Sequence, residues 1–200
     1  LDGGLDLGVA LDGDGDRCIL VDERGELVHG DGIMTVIARW RMANLAYADP
    51  RIVATVMSNR GLHRALREVG VGVVTVGVGD RQVVEALRRE HLDLGGEQSG
   101  HIIFGSDNAF IGDGTYTALR MLRVLHTEET PLSVLASPYQ EFPQVLINVP
   151  VASKPVSSPR PANSPRLEGR LLAVLPYRLV GTASLDVEQV VRTKRFVKLP

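Results

Sequence analysis

Ile52-Val53-Ala54-Thr55-Val56 is a run of β-branched and small apolar residues, and a second such run follows as Val71-Gly72-Val73-Val74-Thr75-Val76-Gly77-Val78. Short runs that are apolar on both faces read as strands buried in a parallel sheet. Between them, Ser58-Asn59 can cap a helix over 62–69, which Gly70 stops. After the second run, Gly79-Asp80-Arg81 leads into a helix over 82–90 whose inner face is Val83, Val84, Ala86 and Leu87. Leu92-Asp93-Leu94-Gly95 then passes through a glycine-flanked polar loop to His101-Ile102-Ile103-Phe104. Strand, helix, strand, helix, strand in units of about twenty residues predicts an α/β fold, a mixed and mostly parallel sheet with crossover helices.

Upstream, Ile33, Met34, Ile37, Ala38, Trp40 and Met42 recur at helical spacing with Asp31 as the expected N-cap, which makes Trp40 core filling. Downstream, Gly112-Asp113-Gly114 opens a helix through Leu125, with Asp113 placed to cap it, and Pro131 starts a short helix over 132–136. Residues 144–149 read as a further strand. From Pro150 the character changes: five of the eleven prolines fall within 150–165, which reads as a linker.

The first thirty residues carry the densest chemistry. Leu5 to Leu11 reads as a short strand, followed by Leu11-Asp12-Gly13-Asp14-Gly15-Asp16-Arg17 and a hairpin turning at Glu23-Arg24-Gly25. Three carboxylates at alternate positions, separated by glycines, can aim at one point, and hard divalent cations take oxygen ligands. A solvated acidic turn is the alternative. An EF-hand fits poorly, because its sixth position would be Arg17 where glycine is needed. A strand beginning almost at residue 1, with nothing before it to pair with, leads us to expect that the chain starts inside a domain.

Two other segments invite a site reading. Asp80 and Arg81 stand where a strand meets a helix N-terminus, which favours an anion, or an Asp cap beside an exposed Arg. Glu97, Ser99 and His101 would share one face of an extended segment, suiting vicinal hydroxyls or simply forming a polar strand end. His29, His63, His91 and His126 form no metal set by spacing. Cys18, the sole cysteine, lies in a strand and reads as a buried thiol.

Composition narrows the classes. The 200 residues are 44% hydrophobic, 4% aromatic and 23% charged, with net charge -2 and a mean hydropathy of +0.05. No apolar run reaches the roughly 18 residues of a membrane helix and no leader is recognisable, so a cytoplasmic chain without a membrane partner is expected. The charge is uneven: residues 1–150 hold 13 Arg against 21 acids, while 151–200 hold 9 basic residues against 3 acids. The basic tail offers only Tyr177 and Phe196 as aromatics and no nucleic-acid motif, so no nucleic-acid partner is expected.

Asp12-Gly13-Asp14-Gly15-Asp16-Arg17 resembles the metal loop of the α-D-phosphohexomutases, and Gly96-Glu97-Gln98-Ser99-Gly100-His101 resembles their sugar-binding loop, in the family's order and about eighty residues apart. Gln98, where phosphomannomutase/phosphoglucomutase members carry Met, tilts the resemblance toward the amino-sugar branch. The resemblance implies Mg2+ on Asp12, Asp14 and Asp16, Arg17 steadying a phosphoryl group, and a hexosamine phosphate substrate contacted by Arg81, Glu97, Ser99 and His101. It further implies transfer through a phosphoserine and a bisphosphate. By this match residues 1–29 are the end of a metal-loop domain, 30–137 the sugar-binding α/β domain, and 138–200 a linker and degenerate start of a fourth domain. No Ser-His-Asn-Pro segment and no Arg-x-Ser-Gly-Thr-Glu-Pro loop occurs in the chain. The expectation is an incomplete piece, inactive alone, whose tail after Pro150 is frame-shifted or decayed; the alternatives are a remnant that binds magnesium and sugar phosphate without turnover, or a phosphomannomutase/phosphoglucomutase of the same family.

Overall fold

The computed structural model describes residues 6–44 and 49–144; the strand expected over 144–149, apart from Gln144, and everything read into the tail lie outside them. Strands β1 (Gly8–Leu11), β2 (Cys18–Val21) and β3 (Leu27–Val28) form an antiparallel sheet in that order. Helix α1 (Gly30–Asn44) follows, then β4 (Arg51–Thr55), α2 (Arg60–Arg67), β5 (Gly72–Val76), α3 (Asp80–Glu90), β6 (Leu94–Gly96) and β7 (Ile102–Phe104). These four strands lie in the order β5-β4-β6-β7, with β4 parallel to both β5 and β6, and β7 antiparallel to β6. Helices α4 (Gly114–Glu128) and α5 (Leu132–Ala136) complete the described residues.

The mixed, mostly parallel α/β sheet matches the sequence expectation, and the pleat explains its cores. Ile52, Ala54, Leu94, Ile102 and Phe104 face α1, while the alternate residues Val53 and Ile103 pack with Val83, Ala86 and Leu87 of α3. Helix α1 is buried nearly all round, from Gly30 to Ala38 and again at Trp40 and Arg41, because it is walled by both sheets and by α2, α4 and α5. Arg41, 3% exposed, reaches the carbonyl of Asp93 and lies 3.6 Å from the Asp107 carboxylate, with its guanidinium 5.8 Å from the Phe104 ring centre. Burial pushes the Cys18 thiol up to about 11, consistent with a structural group.

Two local readings hold in detail. Asn59 caps α2, accepting from Gly61 N at 2.9 Å, and Asp113 caps α4, accepting from Tyr116 N at 2.9 Å. Asp31 differs. It lies inside the first turn of α1 rather than capping it, is fully buried, and accepts from the amide of Asn59 at 2.7 Å. A partner 28 residues away outcompetes the local cap.

Burial pushes the Asp31 carboxyl up from the usual carboxylate range, against the pull of the Asn59 amide, the Ser58 hydroxyl and His29, with Glu141 adding to the rise. A folded-state pKa above the unfolded one gives stability that is present below the unfolded value and lost as pH rises through the folded value. Asp31→Asn keeps an oxygen for Asn59 and removes the ionisation. The variant should gain stability relative to wild type as pH rises from about 4, by roughly 1.4 kcal/mol for each unit of raised pKa. Thermal melts across pH read this, and parallel profiles for the two proteins would exclude it.

Candidate functional site

The acidic loop joins β1 to β2. It therefore follows the end of a strand, as expected, but of a strand in the small antiparallel sheet rather than the parallel one. Gly15, at φ +75°, turns the chain, and Asp12 organises the bend: its Oδ1 accepts from Arg17 N at 3.2 Å and its Oδ2 from Arg17 Nε at 2.6 Å. Partial burial pushes the Asp12 carboxyl upward, and the amide, guanidinium and charge of Arg17 outweigh it, holding the group at about 2. One oxygen each from Asp12, Asp14 and Asp16 lies within 4.8 Å of the others. Asp16 Oδ1 is buried without a hydrogen-bond partner. That oxygen lies 3.6 Å from Arg17 Nε, and the three carboxylates offer hard oxygen donors that fit a small divalent cation such as Mg2+. Among the described residues no other group of three His, Cys, Asp or Glu side chains converges in this way.

The second loop, residues 97–101, connects β6 to β7. The expected extended segment is instead a tight turn, with Gly100 N donating to Glu97 O at 3.1 Å and Glu97 N to His101 O at 3.0 Å. Gly100 has φ +93°, a left-handed conformation open to glycine, and a Cβ there would sit 2.3 Å from the Cys18 carbonyl oxygen. The turn can thus lie directly on the start of β2, where Cys18 N donates to Gly100 O at 3.0 Å. A second close approach holds its other side. Gly30 N donates to Gln98 O at 3.0 Å, with the Glu97 carbonyl where a Cβ would be.

These contacts bring the two loops together. His101 Nδ1 lies 3.1 Å from Asp16 Oδ2, a hydrogen bond when that nitrogen carries the proton, and Glu97 Oε1 accepts from Gly79 N at 3.0 Å. Asp14, Asp16 and Arg17 from the first loop, and Glu97, Ser99 and His101 from the second, line one open cleft of about 290 Å3. Gly79 and Asp80 at the start of α3 complete it. The sequence had placed Asp80 beside an anion or as a cap; in the fold its carboxylate adds negative charge to the cleft rim. Arg81 is not among the lining residues. Its guanidinium pairs with Glu85 one turn on, at 2.8 Å, and its side chain is 87% exposed.

Residues 29–142 match the model of the phosphoglucomutase/phosphomannomutase alpha/beta/alpha domain III. The chain belongs to this phosphohexomutase family. A phosphoglucosamine mutase of Anaeromyxobacter dehalogenans is 51% identical over 151 residues, 76% of this chain and 33% of the relative. A phosphoglucosamine mutase of Mycobacterium ulcerans is 50% identical over 159 residues, 80% of this chain and 36% of the relative. Among solved structures, a phosphoglucomutase/phosphomannomutase family protein from Burkholderia thailandensis superposes with a TM-score of 0.61 at 29% identity, covering 68% of this chain and 29% of that one. This phosphohexomutase chain spans about a third of the length of the curated relatives it matches.

The junction between the two loops leaves no space for a side chain at Gly100. Gly100→Ala combines a left-handed φ with a clash against the Cys18 carbonyl, so it should destabilise the fold by at least ~2 kcal/mol. Urea denaturation measures the loss, and a variant as stable as wild type would show that the loops do not pack in this way.

Proposed function

We propose that this chain is the metal-loop and substrate-loop part of a phosphoglucosamine mutase, an enzyme that interconverts glucosamine 6-phosphate and glucosamine 1-phosphate. The observation that carries the reading is that Asp14 and Asp16, two members of the acidic triad, line one cleft with Glu97, Ser99 and His101 of the second loop. Asp12, Asp14 and Asp16 would hold Mg2+, which when bound supplies positive charge beside a phosphoryl group. Glu97, its orientation fixed by the Gly79 amide, accepts hydrogen bonds from sugar hydroxyls, and Ser99 donates or accepts beside it. His101 holds Asp16 at one ring nitrogen and closes the floor between the loops. Arg17 offers its exposed guanidinium to the phosphoryl group. Arg81 reaches the substrate phosphate by exchanging its exposed pairing with Glu85, a contact of small net worth in water.

On this reading residues 1–29 finish the metal-loop domain and 30–137 form the sugar-binding domain. The phosphoserine that the reaction requires is outside this sequence, so the 200 residues bind substrate without turning it over. Cytoplasmic location suits the proposed substrate, and among the described residues no helix is long and apolar enough to cross a membrane.

Calorimetric titration of the 200-residue chain tests the reading. Mg2+ should bind, and Asp14→Asn should weaken it at least tenfold, since Asp14 is the exposed member of the triad and its loss leaves the fold intact. The absence of Mg2+ binding, or equal binding by the variant, would overturn the metal assignment. Glucosamine 6-phosphate should bind only with Mg2+ present, and Glu97→Gln should weaken it about tenfold or more while Mg2+ affinity holds. Sugar phosphate binding that ignores both Mg2+ and Glu97 would place the substrate elsewhere.

A further inference from the structure

The backbone of Phe142 is held by a single side chain. Asn59 Nδ2 donates to Phe142 O at 2.8 Å, and Asn59 Oδ1 accepts from Phe142 N at 2.9 Å, so one carboxamide pairs with one residue much as a neighbouring strand would. The same Oδ1 caps α2 through Gly61 N at 2.9 Å. The amide of Asn59 in turn donates to the fully buried Asp31 at 2.7 Å, in the first turn of α1. One residue before Asp31, Gly30 donates its amide to Gln98 O of the 97–101 turn. The first turn of α1 therefore carries that turn directly, and the segment ending at Phe142 through Asn59.

Two further contacts hold the segment just before Phe142. The Gln140 carbonyl occupies the place of a Cβ on Gly61, and the Tyr139 ring meets the His29 ring edge-on at 5.3 Å. These contacts seat Tyr139 and Gln140, and the Asn59 carboxamide fixes Phe142 to the cap of α2. An aspartate in its place would lack the donor to Phe142 O, and a serine would lack the carboxamide pair, although either could still cap the helix.

We infer that Asn59 is a positioning residue: it latches Phe142 and, through Asp31 and Gly30, couples the placement of that segment to the substrate loop. The coupling takes its functional meaning from the proposed role of residues 97–101, and its primary test is independent of that role. Residue-resolved amide hydrogen exchange is measured on the full 200-residue chain for wild type, Asn59→Ser and Asn59→Ala. In Asn59→Ser, which keeps a capping oxygen, the Phe142 amide should exchange at least tenfold faster and the Gly30 amide at least threefold faster. The amides of Ile52 and Val53 in β4 should not change. Asn59→Ala should show the same pattern with faster exchange at Gly61 added.

Continued protection of Phe142 in Asn59→Ser would overturn the latch. Release of Phe142 with Gly30 unchanged would overturn the coupling, and faster exchange throughout β4 in both variants would reduce Asn59 to a general stabiliser. A binding split adds a second readout: Asn59→Ser should weaken glucosamine 6-phosphate at least threefold and leave Mg2+ affinity unchanged, and equal weakening of both would overturn the positioning role. A wild-type chain that binds neither ligand removes the functional reading, and the exchange pattern still decides the coupling.

Discussion

Backbone meeting backbone between Cys18 and Gly100 is the constraint on which the site depends. The two residues belong to hairpins of different sheets, and a 3.0 Å hydrogen bond joins them with no side chain interposed. Side chains can change rotamer, whereas a contact between two main chains fixes the distance between loops to within the tolerance of a hydrogen bond. Gly114 N adds a second anchor of the same kind, donating to Gly15 O at 2.9 Å from the start of α4. Only after these backbone contacts does His101 meet Asp16, so the polar bridge reports a geometry that the glycines already impose.

Helix α1 extends that constraint into the body of the fold. Its first turn has glycine on either side of Asp31, a pattern poor in helix propensity, because that turn must pass against the 97–101 turn on one side and Val28 on the other. The weakness is offset by burial along the rest of the helix, where Ile33, Met34, Ile37 and Trp40 enter the main core. A fold that spends helix propensity at the turn nearest its site and recovers stability in the core is consistent with a site built for accurate placement.

The α/β portion was legible because its signals are local. Asn59 as a cap, Gly70 as a stop at φ +77° and the apolar runs around Val53 and Val74 placed β4, α2, β5 and α3 to within about two residues. Residues whose partners are distant were misread. Asp31 looked like a cap because its acceptor role depends on Asn59, and residues 97–101 looked extended because the turn is set by its contact with Cys18. Arg81 shows the opposite lesson: Glu85, four residues on, was visible in the sequence and is the partner the structure gives it. The convergence of Asp16 with His101 had no local signature, since neither residue type nor spacing encodes the packing of one hairpin on another.

The charge of the cleft follows from the same arrangement and bears on how an anionic ligand could enter it. Asp14, Asp16, Asp80 and Glu97 line it with Arg17 as the one lysine or arginine among the lining residues, and Arg17 already gives its Nε to Asp12 while its side chain stays half exposed. A phosphate carried into such a cleft meets like charge unless a cation is present, and screening by salt is weak at the few-ångström separations involved. A divalent ion at the triad would reverse the local sign next to Arg17 while leaving Glu97 free to accept from hydroxyls. The acidity of the cleft would therefore separate the two ends of the ligand proposed above. On that proposal the phosphate would be drawn to the side where Asp14 and Asp16 could hold a cation, and the sugar's hydroxyls to the side where Glu97, oriented by the Gly79 amide, carries a charge with no cation beside it among the lining residues except Arg17.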